Sequence, residues 1–210
     1  MPARRRDELR PRKQPRQSRS RETVTAILEA AARVFAQHGY AAGTTNRIAA
    51  KAGVSVGSLY EYFPNKDALL VALLEAHIAE GNAALSAVAT EVLLPGRSLR
   101  DVAERLVRAM IDLHSRDRKL HRVLFEETPL PPQVRRQLDA VERSVAAHLA
   151  TYLRHHPEVT APDADLAAMV VVQAIEALTH RLLLHGAPEE LEAQTEEFVR
   201  LTTGYLSAPR

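Results

Sequence analysis

The chain has 210 residues, 46% of them hydrophobic, which is enough to bury a core without covalent staples. It has no cysteine, which excludes disulfides, thiolate metal sites and cysteine nucleophiles and suits a reducing compartment, so a cytoplasmic location is expected. The formal net charge of +2 conceals a division: residues 1–66 carry 13 Lys/Arg against 5 Asp/Glu, a net +8, while residues 67–210 carry 15 against 21, a net −6, so a polyanion belongs at the N-terminal end.

Residues 1–20 hold eight basic side chains and almost nothing apolar, and are read as a disordered basic arm. From Ser20 the pattern turns helical: Val24, Ile27, Leu28, Ala31, Val34 and Phe35 recur on one face, and Gly39 is placed to end the helix. Two short helices follow. The first opens at Thr44/Thr45 and stops at Gly53; the second opens at Ser55 and ends before Pro64. Asn65 then caps a long helix to about Leu93, with Gly81 as an expected weak point or kink. Further helices are predicted at about 98–116, 119–127, 133–156, 163–185 and 189–206, punctuated by prolines. No strand-like alternation appears, so the expected fold is all-α with about nine helices. No apolar run approaches the roughly 20 residues that span a bilayer, and the arginine-rich start lacks the apolar stretch of a signal peptide, so no membrane partner is expected.

Residues 44–63, TTNRIAAKAGVSVGSLYEYF, have the build of a helix-turn-helix. Ile48, Ala49, Val54 and Leu59 supply a small apolar core between two closely crossing helices, Gly53 suits a left-handed stop, and Ser55 suits the next N-cap. The second helix spans only ~10 Å, so it fits a B-DNA major groove about 12 Å wide. On it, Gly57 has no side chain to hold the backbone off the bases, Ser58 donates or accepts, and Val56 suits a thymine methyl. Thr44, Thr45, Tyr60, Tyr62 and Lys66 flank it with hydroxyl and ammonium groups suited to phosphate oxygens, and Arg47 can reach a phosphate or a base edge.

The pieces ILEAAARVFAQHGY, TTNRIAAKAGVSVGSLYEYF and NKDALL resemble the DNA-binding domain of the tetracycline-repressor (TetR) family over about residues 21–81. The resemblance implies a three-helix DNA-binding domain over 21–81, a divergent ligand-binding domain over 82–210, and dimerisation through the last two helices. It places Thr45, Arg47, Ser55, Val56, Gly57, Ser58, Tyr60, Tyr62 and Lys66 at DNA-facing positions. Glu61 departs from a simple cationic surface by adding a negative charge inside the recognition helix. The expected partners are double-stranded operator DNA, a second copy of the chain and an unknown small-molecule effector; repression is the sense of regulation the family implies.

Beyond residue 82 the sequence names no ligand. His114 and His121 flank a helix junction, and His77, Met110, Phe125, Tyr152 and Met169 lie on faces that can converge on a cavity. The 163–185 helix is apolar over much of its surface, Leu166 and Val170 included, which suggests an interface, and it carries Gln173, Glu176 and His180 along one side. Leu182, Leu183, Leu191 and Phe198 are candidates for a dimer interface. Catalysis is not expected: Glu75-x-His77 and Glu176-x-x-x-His180 lack the Glu-x-x-His spacing of di-iron bundles, and no phosphate loop, nucleophile elbow or His-Glu-x-x-His occurs, so no catalytic residue, resident metal or cofactor is assigned. Two other classes stay open. A metal sensor would use some of the nine histidines, whereas an architectural DNA-coating protein would be basic throughout, which the acidic C-terminal part argues against.

Overall fold

The computed structural model describes residues 18–92, 96–115, 117–185 and 188–208; positions 1–17 of the expected basic arm lie outside them. Among the described residues there is no strand. Nine α-helices follow in order: α1 (Ser18–Ala42), α2 (Thr45–Ala52), α3 (Val56–Tyr62), α4 (Lys66–Val92), α5 (Leu99–Ser115), α6 (Arg118–Phe125), α7 (Pro132–Leu153), α8 (Ala164–His185) and α9 (Leu191–Ser207). A 3-10 turn, Pro188–Glu190, precedes α9. The all-α expectation holds, with helix ends within a few residues of those read from caps and prolines.

Packing groups the chain into two compact units. One compact unit runs to His77 and also takes in Lys119–Arg135; the other holds Ile78–Arg118 and the chain from Arg136 onward. The first unit is built on the apolar face of α1, where Ile27, Ala30, Ala31, Val34 and Phe35 are buried at helical spacing. It also buries Ile48 and Ala49 of α2, Leu59 of α3, Phe63, and Leu69, Leu70 and Leu74 of α4. α2 packs against both α1 and α3.

In the second unit α5 packs against α8 and α9. A single core joins Leu99, Ala103, Val107 and Ile111 of α5 with Ala146, Leu149, Ala150 and Leu153 of α7. Ala167, Ala168, Val171 and Ile175 of α8 and Phe198, Val199 and Leu206 of α9 complete it. Small alanines on three of the four helices let their axes approach closely. α4 runs from Lys66 to Val92 through Gly81, the expected weak point. Gly81 makes room for a neighbour, since a Cβ there would stand 3.0 Å from Leu113 Cδ2.

Candidate functional site

α2 and α3 have only 8 and 7 residues, too few for either to hold as an isolated helix, so their ends are fastened by hydrogen bonds. Thr44 is the N-cap of α2, its hydroxyl accepting from Arg47 N at 3.3 Å. Gly53 ends α2 in the left-handed conformation (φ 70°, ψ 26°), its amide donating to the Ala49 and Ala50 carbonyls. Ser55 caps α3, accepting from Ser58 N at 3.0 Å while its hydroxyl meets that of Ser58 at 2.9 Å. Side-chain N-caps each contribute about 1 kcal/mol, a large share of what elements this short require.

The outer face of α3 carries Val56 at 37% and Tyr60 at 39% exposure, with Gly57 and Glu61 also exposed and Ser58 partly so. Tyr60 reaches across to α2, its hydroxyl 3.1 Å from that of Thr45. Arg47 is exposed, with Nη1 donating to the Ala42 carbonyl at 2.9 Å. The helix pair therefore presents a small, mostly uncharged outer face, bordered by Thr44, Thr45, Ser55 and Arg47, on a buried base.

Two flanking groups are held differently from the sequence expectation. Tyr62 is 9% exposed and turned inward, its hydroxyl donating to Ser20 at 3.4 Å, so its ring serves first as packing. Lys66 folds back over the end of α1. Its Nζ donates to the Tyr40 and Ala41 carbonyls at 2.7 and 3.2 Å and sits 4.2 Å from the centre of the Tyr40 ring. Partial burial pushes the Lys66 pKa down from its ordinary value.

The effector candidates fall in both units. In the first, His77 and Phe125 meet edge to face with ring centres 5.5 Å apart, and the ring of His121, one of the two junction histidines, lies 4.6 Å from that of Phe125. In the second, Met110, Tyr152 and Met169 pack against the core. His114 is buried and donates from Nδ1 to the Met110 carbonyl at 2.7 Å; burial lowers its pKa against the opposing pull of that bond. Its ring stands 4.7 Å from His180, whose Nε2 is 3.8 Å from Glu176 Oε1. Burial, aided by the neighbouring Glu142 carboxyl, raises the Glu176 pKa to about 7.

Gln173 does not join this group. It is exposed, on the face of α8 that also shows Leu166 and Val170. Tyr152 borders a separate cavity of about 710 Å³, whose lining includes Arg97, His148, His155 and Glu158.

The dimer candidates divide as well. Phe198 belongs to the core of the second unit and Leu191 packs against it, while the Leu182 and Leu183 side chains lie outside the described residues. Among the described residues, the large apolar side chains left exposed on this helix pair are Leu166 (60%) and Val170 of α8 and Leu201 (61%) and Tyr205 of α9. Leu166 and Val170 are among the residues whose apolar breadth marks the 163–185 helix as an interface in the sequence, whereas Leu201 and Tyr205 went unselected, although the signal is present. Positions 166 and 170, and 201 and 205, form second stripes beside the core stripes 167, 168, 171, 175 and 198, 199, 206.

Residues 27–73 match the family described as bacterial regulatory proteins, tetR family, and residues 98–206 match the tetracyclin repressor-like C-terminal domain. The chain belongs to the TetR family. Among curated relatives, the HTH-type transcriptional regulator TtgR of Pseudomonas putida is 26% identical over 188 residues, covering 86% of this chain and 89% of that one. Among solved structures, a TetR-family regulator from Mesorhizobium loti superposes with a TM-score of 0.71 at 21% identity, over 90% of this chain and 98% of its own. FadR of Bacillus subtilis in complex with stearoyl-CoA gives 0.66 at 20% identity, over 89% of this chain and all of its own. These two likenesses establish the shared fold. The protein is a TetR-family transcriptional regulator with a DNA-binding helix-turn-helix, and none of its described helices is long and apolar enough to cross a membrane.

Proposed function

We propose that this TetR-family regulator works as a homodimeric repressor that binds a pseudo-palindromic operator and releases it when a small molecule occupies the C-terminal bundle. The observation that carries the DNA half is the outer face of α3, where Val56, Gly57 and Tyr60 stand exposed on a helix capped at Ser55. A short helix with a bare glycine on that face can bring its backbone to the base edges, with Thr44, Thr45, Ser55 and Arg47 at its border available for phosphates. Lys66 contributes there through the turn it holds, and Tyr62 through packing.

Dimerisation is supported by Leu166, Val170, Leu201 and Tyr205, whose exposure on two helices of one unit is what a second copy would cover. For release, the effector must bind the DNA-incompetent form more tightly, because equal affinity for both forms shifts nothing. Met110, Met169, His114 and Glu176 suit a ligand with an apolar body and a hydrogen-bond donor.

The test is selection of bound duplexes from a random-sequence library, followed by footprinting and titration at several salt concentrations. A two-fold symmetric site with steeply salt-dependent affinity is expected. An asymmetric site bound by a single chain would overturn the dimer, and failure to enrich any sequence would overturn operator recognition.

A further inference from the structure

The C-terminal turn of α1 is a junction of four chain segments within the first unit. Gly39 breaks the helix at φ 71°, ψ 171°, and the turn closes on itself through Gly43 N donating to the Gly39 carbonyl at 3.1 Å. α4 grips this turn twice: Lys66 donates to the Tyr40 and Ala41 carbonyls, and the Tyr40 hydroxyl donates to the Asp67 carboxylate. α2 grips it once, through Arg47 Nη1 on the Ala42 carbonyl at 2.9 Å.

The fourth segment comes from far along the chain. Glu127, just past α6 and 87 residues away, accepts from Tyr40 N through Oε2 at 2.8 Å. Its other oxygen is 3.9 Å from Arg122 Nε, which steadies the carboxylate from its own side. The fit depends on the glycine: a Cβ at Gly39 would lie 2.9 Å from Glu127 Oε2, so the carboxylate occupies the space the missing side chain leaves.

We infer that Glu127 is a positioning residue for DNA binding: by accepting the Tyr40 amide it fixes the turn whose Ala42 carbonyl holds Arg47 in place for DNA. Carbonyls at the end of a helix attract cations, and this turn spends three of them on Lys66 and Arg47. Its position therefore sets where the guanidinium stands, and Glu127 ties that position to the segment after α6. Electrostatics gives the effect a distinctive sign. A carboxylate repels DNA, so its removal should strengthen binding if charge alone mattered. A positioning role reverses that sign.

The inference rests on Arg47 facing DNA, and the experiment separates the two. The full chain and its Glu127→Ala, Glu127→Gln, Arg47→Ala and Glu127→Ala/Arg47→Ala variants are titrated with a duplex selected by the parent and with an unrelated duplex, while hydrogen exchange follows the amides of residues 40–43. Glu127→Ala should weaken the selected duplex by about tenfold, as expected for loss of a charge-assisted hydrogen bond, without weakening the unrelated one, and should speed exchange at Tyr40. Glu127→Gln keeps an acceptor oxygen and should stay within about twofold of the parent. In the Arg47→Ala background, Glu127→Ala should cost little more, since the two act on one path.

Unchanged or tighter binding by Glu127→Ala, a Gln variant as weak as the Ala variant, or additive losses in the double variant would each overturn the inference. Parent-like binding by Arg47→Ala would remove Arg47 from the DNA surface, and with it the path proposed for Glu127.

Discussion

The helix pair α2–α3 and the helix pair α8–α9 meet opposite structural demands. The first pair has 8 and 7 residues and one buried stripe, and it is held by Thr44, Gly53 and Ser55 at its ends with Ile48 and Leu59 beneath. The second has 22 and 17 residues and needs little help from caps, yet it shows more apolar surface than its own unit covers. Caps and a glycine stop fasten the short pair and leave Val56, Gly57 and Tyr60 exposed on its outer face, the face proposed for DNA. A second apolar stripe on a long helix is the feature on which the proposed dimer rests.

The comparison is most easily broken on the α8–α9 side. Leu201→Glu puts a charge on a leucine 61% exposed in the single chain, so the subunit should fold while the pair separates. Sedimentation should find monomers at micromolar concentration, and operator affinity should fall by roughly two orders of magnitude, since each half-site then binds alone. A variant that stayed dimeric would place the interface elsewhere.

On the α2–α3 side, Gly57→Val tests whether the outer face belongs to DNA. A Cβ at Gly57 meets only Ser55 Oγ, at 3.7 Å, an ordinary contact, so the free protein accommodates it. Thermal melting should change little, while selected-duplex affinity falls by about tenfold or more as the new side chain holds α3 off the base edges. Parent-like operator binding would show that α3 does not enter the groove.

A third measurement reads the inner side of α8. The Glu176 pKa, about 7 in the folded chain against 4.5 ordinarily, means that the folded state holds the more protons between those values. Stability should therefore fall as pH rises through that window and level off above it, by an amount on the order of 3 kcal/mol. Glu176→Gln should flatten this slope in urea titrations at pH 5 and pH 8. An unchanged slope would assign the titration to another group.

The smallest effect is expected at Tyr60→Phe, which removes the hydroxyl lying 3.1 Å from that of Thr45. Operator affinity should drop by about 1 kcal/mol per half-site if that hydroxyl also meets a phosphate, and stay level if it serves only Thr45. Isothermal titration with the selected duplex distinguishes these outcomes.

The helix-turn-helix was legible because its signals are local. Thr44 reaches Arg47 N, Ser55 reaches Ser58 N and Asn65 reaches Ala68 N, each three residues on, and the buried face of α1 repeats at helical spacing. The C-terminal half was legible as helices but only partly as surfaces: the apolar breadth of α8 showed, its division into stripes did not. A helix of alanines, valines and leucines shows apolar residues nearly all round, and sequence alone does not say which stripe faces its own core. Phe198 thus read as interface and lies in the core, while Leu201, three residues on, read as unremarkable and stands exposed.

By itself the sequence determined the number and order of the helices, the caps and stops of α2 and α3, and the family motif, because each depends on residues a few positions apart and on the allowed backbone of glycine and proline. Only the tertiary structure decided that Lys66 bonds carbonyls 25 and 26 residues back, that Tyr62 turns inward to Ser20 across 42 residues, and that Glu127 reaches the Tyr40 amide across 87. A charged or aromatic side chain has the same propensity whether it meets solvent, DNA or a distant turn. Its partner is chosen by where packing brings the chain, and that information is spread over the whole core rather than written beside the residue.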